Sequence, residues 1–214
     1  MPANGCGFAQ ERLGKRDGQP IMAFVYANST QHTQVLILPG LGNSGPQHWQ
    51  SLWERAYGYQ RVEQANWDQP KLAEWLGNLE LAVLHAKEGV VLVAHSLACS
   101  LVAHFAQLGG EATKRVRGAF LVSPADVESR RCTPEEVRCF SPIPLSPLPF
   151  PARVLSSSDD PYVDRERAEH FARCWGAEFV DIGCCGHINA SSGLGAWPAG
   201  HQQFRACLAI WQAA

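Results

Sequence analysis

Two hydrophobic rhythms alternate along the chain. Short apolar runs at Val35–Leu38 and Val90–Ala94, and further short segments at Gly118–Val122, Ala152–Ser156 and Glu178–Ile182, are bounded by turn residues and predict strands. Between them, apolar positions recur at helical spacing. A helix is predicted near Pro46–Tyr57, another near Ser96–Leu108, and a third after Pro70, where Leu72, Trp75, Leu76, Leu79, Val83 and Ala86 fall on one face. Arg165–Trp175 carries Ala168, Phe171, Ala172 and Trp175 on one face with Gly176 as a stop, and Phe204, Cys207, Leu208 and Trp211 give a last helix its buried stripe. Strands alternating with helices predict βαβ units: an α/β fold with a mostly parallel central sheet and helices on both faces.

The segment from Pro124 to Pro151 breaks the rhythm. Pro124, Pro134, Pro142, Pro144, Pro147, Pro149 and Pro151 are half of the chain's 14 prolines, so regular structure is not expected there. Such an excursion either shapes a substrate site as a short lid or crosses the surface without chemistry, and the pattern leaves both open.

At 214 residues the chain holds one sizeable core rather than two, here assigned to residues 22–214. Residues 1–21, rich in glycine and charge and without periodicity, are expected to be a flexible tail or an over-extended start. A formal charge of -2, from 18 basic and 20 acidic residues without a basic block, gives no footprint for nucleic acid or an anionic membrane. No apolar signal segment opens the chain and no transmembrane-length run occurs, so a soluble protein is expected. Its eight cysteines are scattered, which suits reduced thiols in a cytoplasm. Cys184-Cys185-Gly186-His187 lacks the partner spacing of a closed zinc site, and no metal is expected.

The stretch Gly89–Phe105, GVVLVAHSLACSLVAHF, is an apolar strand that breaks at Ala94-His95-Ser96-Leu97-Ala98 and continues as a helix. A serine on a sharp strand-to-helix turn needs small residues two before and two after it, as in G-x-S-x-G; here these are Ala94 and Ala98. Alone, Ser96 reads equally as a plain helix N-cap. Partners decide between the two. Asp159 and Asp160 follow one strand, with Asp160, before Pro161, preferred as the acid, and His187 lies in a glycine-flanked loop after the next strand. Their order of serine, acid and histidine, each just after a strand, is the one an α/β hydrolase uses. Each has a plainer alternative, Asp159-Asp160-Pro161 as an Asx turn and His187 as a loop histidine. His95, beside Ser96 on the tight turn, is expected to point elsewhere.

Gly40-Leu41-Gly42-Asn43-Ser44-Gly45 matches G-x-G-x-x-G, and Glu63 stands about where a dinucleotide fold places its ribose-binding acid. The following stretch YQRVEQANW is too polar for the strand that reading requires. The preferred reading is an oxyanion turn, with the Leu41 and Leu97 amides as donors. His48, just after the turn, either faces the site or packs beside Trp49 and Trp53; His48, Trp49 and Asn43 are the candidate substrate-binding residues.

The blocks PGLGNSGPQHWQSLWE, WDQPKLAEW, VLVAHSLACS, LVSPADVE, SSSDDPYV and GHINASSGLGAWPAG appear in an order that resembles the retinoblastoma-binding protein 9-like (YdeN-like) serine hydrolases, over most of Val35 to Trp211. The resemblance implies a small α/β-hydrolase with little or no lid, Ser96 as nucleophile, Asp160 as acid and His187 as base. The chain carries Ala98 where the family usually has glycine. The expected function is hydrolysis of small carboxylic esters, or amides, through an acyl-enzyme, with no cofactor. A non-catalytic protein-binding module on the same fold is the alternative, since fold alone does not dictate activity.

Overall fold

The structure, a computed structural model, describes residues 33–213. The expected tail and residues 22–32 of the expected domain lie outside the described residues. Among the described residues, six strands form one parallel sheet: β1 (Gln34–Leu38), β2 (Gln60–Arg61), β3 (Val90–His95), β4 (Val116–Val122), β5 (Ala152–Ser156) and β6 (Glu178–Asp181), in the order β2-β1-β3-β4-β5-β6. The helices are α1 (Trp49–Tyr57), α2 (Leu72–His85), α3 (Leu97–Leu108), α4 (Gly110–Lys114), α5 (Arg165–Trp175) and α6 (Pro198–Trp211).

The unbroken apolar runs hide a period of two that the packing makes visible. Val35, Ile37, Val91, Val93, Phe120 and Val122 face one side of the sheet, where Trp49 and Trp53 of α1 and Phe204 and Trp211 of α6 cover them. Leu36, Leu38, Leu92, Ala94, Ala119 and Leu121 face the other, under Trp75 and Leu79 of α2, Leu101 and Phe105 of α3 and Phe171 of α5. Register keeps like faces adjacent, pairing Leu36 with Leu92 and Leu92 with Ala119. Each such large side chain contributes about 1.5–3 kcal/mol through removal from water, so a sheet covered on both faces holds its strand ends in fixed relation.

One boundary and two short elements show how the structure departs from the sequence reading, each for a local reason. Helix α1 begins at Trp49 rather than Pro46, because Gly45 to His48 closes a turn through the His48 amide and the Gly45 carbonyl at 2.9 Å. Edge strand β2 forms in the stretch read as too polar for a strand, and is only two residues long. Helix α4 is too short to leave a periodic signature.

The proline-rich segment holds one 3-10 stretch, Glu135–Phe140, and is cross-linked rather than loose. Arg138 Nη1 donates to the Val127 carbonyl (2.6 Å) and to Thr133 Oγ1 (2.7 Å), while Nη2 donates to the carbonyls of Ser129 (3.1 Å) and Thr133 (2.6 Å).

Candidate active site

Chain order reverses between β1 and β3: from β1 the sheet grows one way to β2 and the other way to β3. The crevice beyond the C-terminal ends of these two strands is where open α/β sheets bind ligands. A cavity of about 320 Å³ lies there, and Ser96 and Leu41 both open onto it.

Ser96 joins β3 to α3 at φ 59° and ψ -123°, a conformation that strains a side-chain-bearing residue. Its side chain does not cap α3, so the plain N-cap reading does not describe it. The tight bend needs space on every side. Ala94 and Ala98 are fully buried, and a Cβ at residue 40 would lie 2.9 Å from Ser96 Cβ and 3.0 Å from the His95 carbonyl oxygen. Gly40 is therefore glycine because β1 ends against the bend.

The Ser96 hydroxyl lies 2.8 Å from His187 Nε2, and His187 Nδ1 lies 2.9 Å from both carboxylate oxygens of Asp160. A carboxylate only accepts, so Nδ1 carries the hydrogen and Nε2 offers its lone pair to the Ser96 hydroxyl. The Asp160 side chain is fully buried and Oδ1 also accepts the Tyr162 amide at 2.9 Å. Asp159, the other member of the pair, faces away: its Oδ1 accepts from Ser157 Oγ (2.6 Å) and from the Gly186 amide (2.8 Å), which together hold its carboxyl below the usual carboxylate range. It ties down the loop that carries His187.

That loop is held from further sides. His95 Nε2 lies 2.9 Å from the His187 carbonyl oxygen, which can only accept, so Nε2 donates. Burial, and then the neighbouring His187 and His48, push the His95 pKa well below the ordinary histidine range. Trp49 Nε1 donates to the Ile188 carbonyl at 2.7 Å, beside a residue whose φ of 47° is strained for a β-branched side chain.

These contacts correct two expectations. His95 does not point away from the site; it lines the cavity, its ring 4.8 Å from that of His187. Trp49 is 1% exposed in the core between α1 and the sheet and does not line the cavity, because its indole is spent on the Ile188 carbonyl. His48 and Asn43 do line it. The sequence pattern does not single out Tyr162, whose ring stands 4.4 Å from that of His187, nor Thr133, Pro134 and Val137, which bring the proline-rich segment to the cavity wall.

In the glycine turn, Gly42 takes φ 72°, its amide donates to the Trp67 carbonyl (2.9 Å), and the Asn43 amide donates to the Gly40 carbonyl (3.2 Å). The Leu41 amide takes part in neither bond. The Leu97 amide is the first of α3, where helix geometry provides no intrahelical acceptor. Both residues line the cavity beside Ser96. Among the described residues no cluster of three or more His, Cys, Asp or Glu is placed to hold a metal ion, and both ring nitrogens of His187 face Asp160 and Ser96.

A doubly covered parallel sheet with serine, acid and histidine in that chain order after the ends of β3, β5 and β6 defines the α/β-hydrolase class. The chain belongs to the serine hydrolase family, whose model matches residues 35–206, and is YdeN-like within it. A YdeN-like hydrolase from Pectobacterium atrosepticum is 32% identical, with a TM-score of 0.75 over 85% of this chain and 94% of that one. The ydeN product of B. subtilis shares the fold at 23% identity and TM-score 0.64, covering 83% of this chain and 99% of that one. A thermophilic esterase from Thermogutta terrifontis, with malate bound, shares it at 17% identity and TM-score 0.62, covering 84% and 90%. No curated protein sequence matches the chain. The family makes the chain a hydrolase of small molecules.

Proposed function

We propose that this hydrolase is an esterase for small carboxylic esters, working through an acyl-enzyme on Ser96. The observation that carries the reading is the unbroken relay from the Asp160 carboxylate through His187 to the Ser96 hydroxyl, with the two residues of the 2.8 Å contact both lining the cavity. His187 Nε2 takes the Ser96 proton as Oγ attacks the ester carbonyl carbon. Asp160 keeps Nδ1 protonated and stabilises the imidazolium that forms. The carbonyl oxygen, now an oxyanion, turns toward the Leu41 and Leu97 amides, each such donor contributing about 3 kcal/mol in the transition state. His187 then protonates the departing alkoxide, and in the second half-reaction it draws a proton from water, which attacks the acyl-enzyme and frees Ser96.

Cavity size favours short acyl chains, since about 320 Å³ stands at the small end of ligand sites. The test is a series of p-nitrophenyl esters of rising acyl length. The expected outcome is a maximum at short chains, and a loss of about a thousandfold or more in kcat for Ser96→Ala. Equal rates for wild type and Ser96→Ala would refute the proposal, and faster turnover of long chains would refute its substrate range.

A further inference from the structure

The cavity wall beside the glycine turn is chemically one-sided. His48 is 4% exposed and forms part of that wall. As the N-cap of α1 it accepts the Gln50 amide on Nδ1 at 3.2 Å, so in the neutral ring the hydrogen sits on Nε2. Burial, with the neighbouring His187 and Arg61, pushes its pKa down to about 3, and the neutral ring persists at physiological pH. Nε2 is buried and has no hydrogen-bond partner among the described residues. With Nδ1 committed to the helix, this N–H is a donor whose acceptor the described protein does not supply.

Asn43 repeats the pattern. Its Oδ1 accepts from Arg61 Nη1 (2.6 Å) and from the Ser44 amide (2.7 Å), and Arg61 is itself fixed by Glu54 (2.8 Å) and Ser51 Oγ (2.7 Å). The acceptor end of the carboxamide is therefore consumed, and Nδ2 enters none of the hydrogen bonds among the described residues. Val137 and Pro134 add apolar surface to the cavity, and the described lining has no Lys, Arg, Asp or Glu.

We propose that this wall is a subsite for an uncharged oxygen acceptor, a second carbonyl or an ether oxygen, on the acyl half of the ester, bound by His48 Nε2–H and Asn43 Nδ2–H. The assignment rests on the esterase reading above. Its acyl side follows from the positions of three imidazoles. The alcohol departs beside His187, which protonates it, whereas the His48 ring packs at 4.8 Å on the His95 ring, which in turn lies 4.8 Å from that of His187.

The experiment compares two esters of nearly the same shape, p-nitrophenyl 4-oxopentanoate and p-nitrophenyl 4-methylpentanoate, each rate divided by its own hydroxide rate. Wild type is expected to favour the oxo ester by about fivefold to tenfold in kcat/KM. His48→Asn keeps an N-capping oxygen but its shorter side chain cannot carry a donor to the Nε2 position; it should lose most of that preference, Asn43→Asp should lose it too, and His48→Gln, whose longer carboxamide extends an N–H that far, should regain part of it. A normalised ratio near one in wild type, or an unaltered ratio in His48→Asn, overturns the subsite while leaving the esterase reading intact. If wild type turns over neither ester, the corresponding methyl esters are titrated into Ser96→Ala, and equal affinities overturn the subsite. Failure of the esterase reading is visible separately, as wild type that does not react at Ser96 with a fluorophosphonate.

Discussion

At Ser96 the backbone is held at φ 59° in a tightly packed bend: Ala94 and Ala98 are fully buried, and a Cβ at Gly40 would lie 2.9 Å from that of Ser96. Such a strained residue costs about 1–3 kcal/mol, and the close fit around it keeps it in place. The imidazoles beside it carry a pH dependence whose sign follows from burial. His48 and His95 titrate near 6.5 in an unfolded chain, but in the folded protein His48 titrates at about 3 and His95 also lies well below its usual range. Between about pH 3 and pH 6.5 the unfolded state therefore binds more protons. Their contribution is fully present above pH 6.5 and is lost as pH falls, by up to about tenfold in the unfolding equilibrium per pH unit for each ring. Urea midpoints are expected to drop between about pH 7 and pH 5, and to drop less in His48→Asn. Equal slopes in the two proteins would contradict the assignment. At this scale the sequence was legible where chemistry is punctuated by glycine, alanine and proline, as at Ala94-His95-Ser96-Leu97-Ala98. It was not legible at His95 and Trp49, whose roles are set by the carbonyls of residues 187 and 188, over 90 positions away.

Among the elements, α1 binds the site together. Gln50 Nε2 donates to the Leu38 carbonyl (3.1 Å) and the Val93 carbonyl (3.2 Å), clasping the ends of β1 and β3, while Trp49 and Trp53 reach the carbonyls of Ile188 and Ala196 at 2.7 Å. Trp49→Phe keeps the aromatic packing and leaves the Ile188 carbonyl without its donor. The expected result is a fall of about tenfold in kcat on p-nitrophenyl acetate with KM little changed, because the histidine loop is displaced rather than the cavity. A variant that only unfolds more easily, with native kcat, would make Trp49 a packing residue alone. Strands and long helices were readable because burial imposes their periods: β5 and α5 coincide with the expected Ala152–Ser156 and Arg165–Trp175. The start of α1 was not, since Pro46 ordinarily opens a helix and here sits in the turn that makes His48 the cap. The approach of residues 133–137 to the cavity depends on the hydrogen bonds of Arg138, which no periodicity encodes.

For the molecule as a whole, the parallel sheet gathers residues 41, 96, 160 and 187 from four separate connections to one edge. No helix among the described residues is long and apolar enough to cross a membrane. The fold could be read in advance because strand–helix alternation restricts the sheet to few topologies, and the chain order of serine, acid and histidine places each at a strand's C-terminal end. Asn43 and His48, in and beside the glycine turn, are candidates from the sequence, but the approach of Thr133, Val137 and Tyr162 to the same cavity could not be read that way, since they meet it only in the fold. The proposed chemistry turns on whether the Ser96 oxygen is nucleophilic, and covalent labelling measures that directly. Wild type, Ser96→Ala and Asp160→Asn are treated with a fluorophosphonate and the modified peptide is located by mass spectrometry. The account predicts a single adduct on Ser96 in wild type, none in Ser96→Ala, and labelling slowed by about four orders of magnitude in Asp160→Asn; folded wild type that stays unlabelled, or is labelled at another residue, would contradict it.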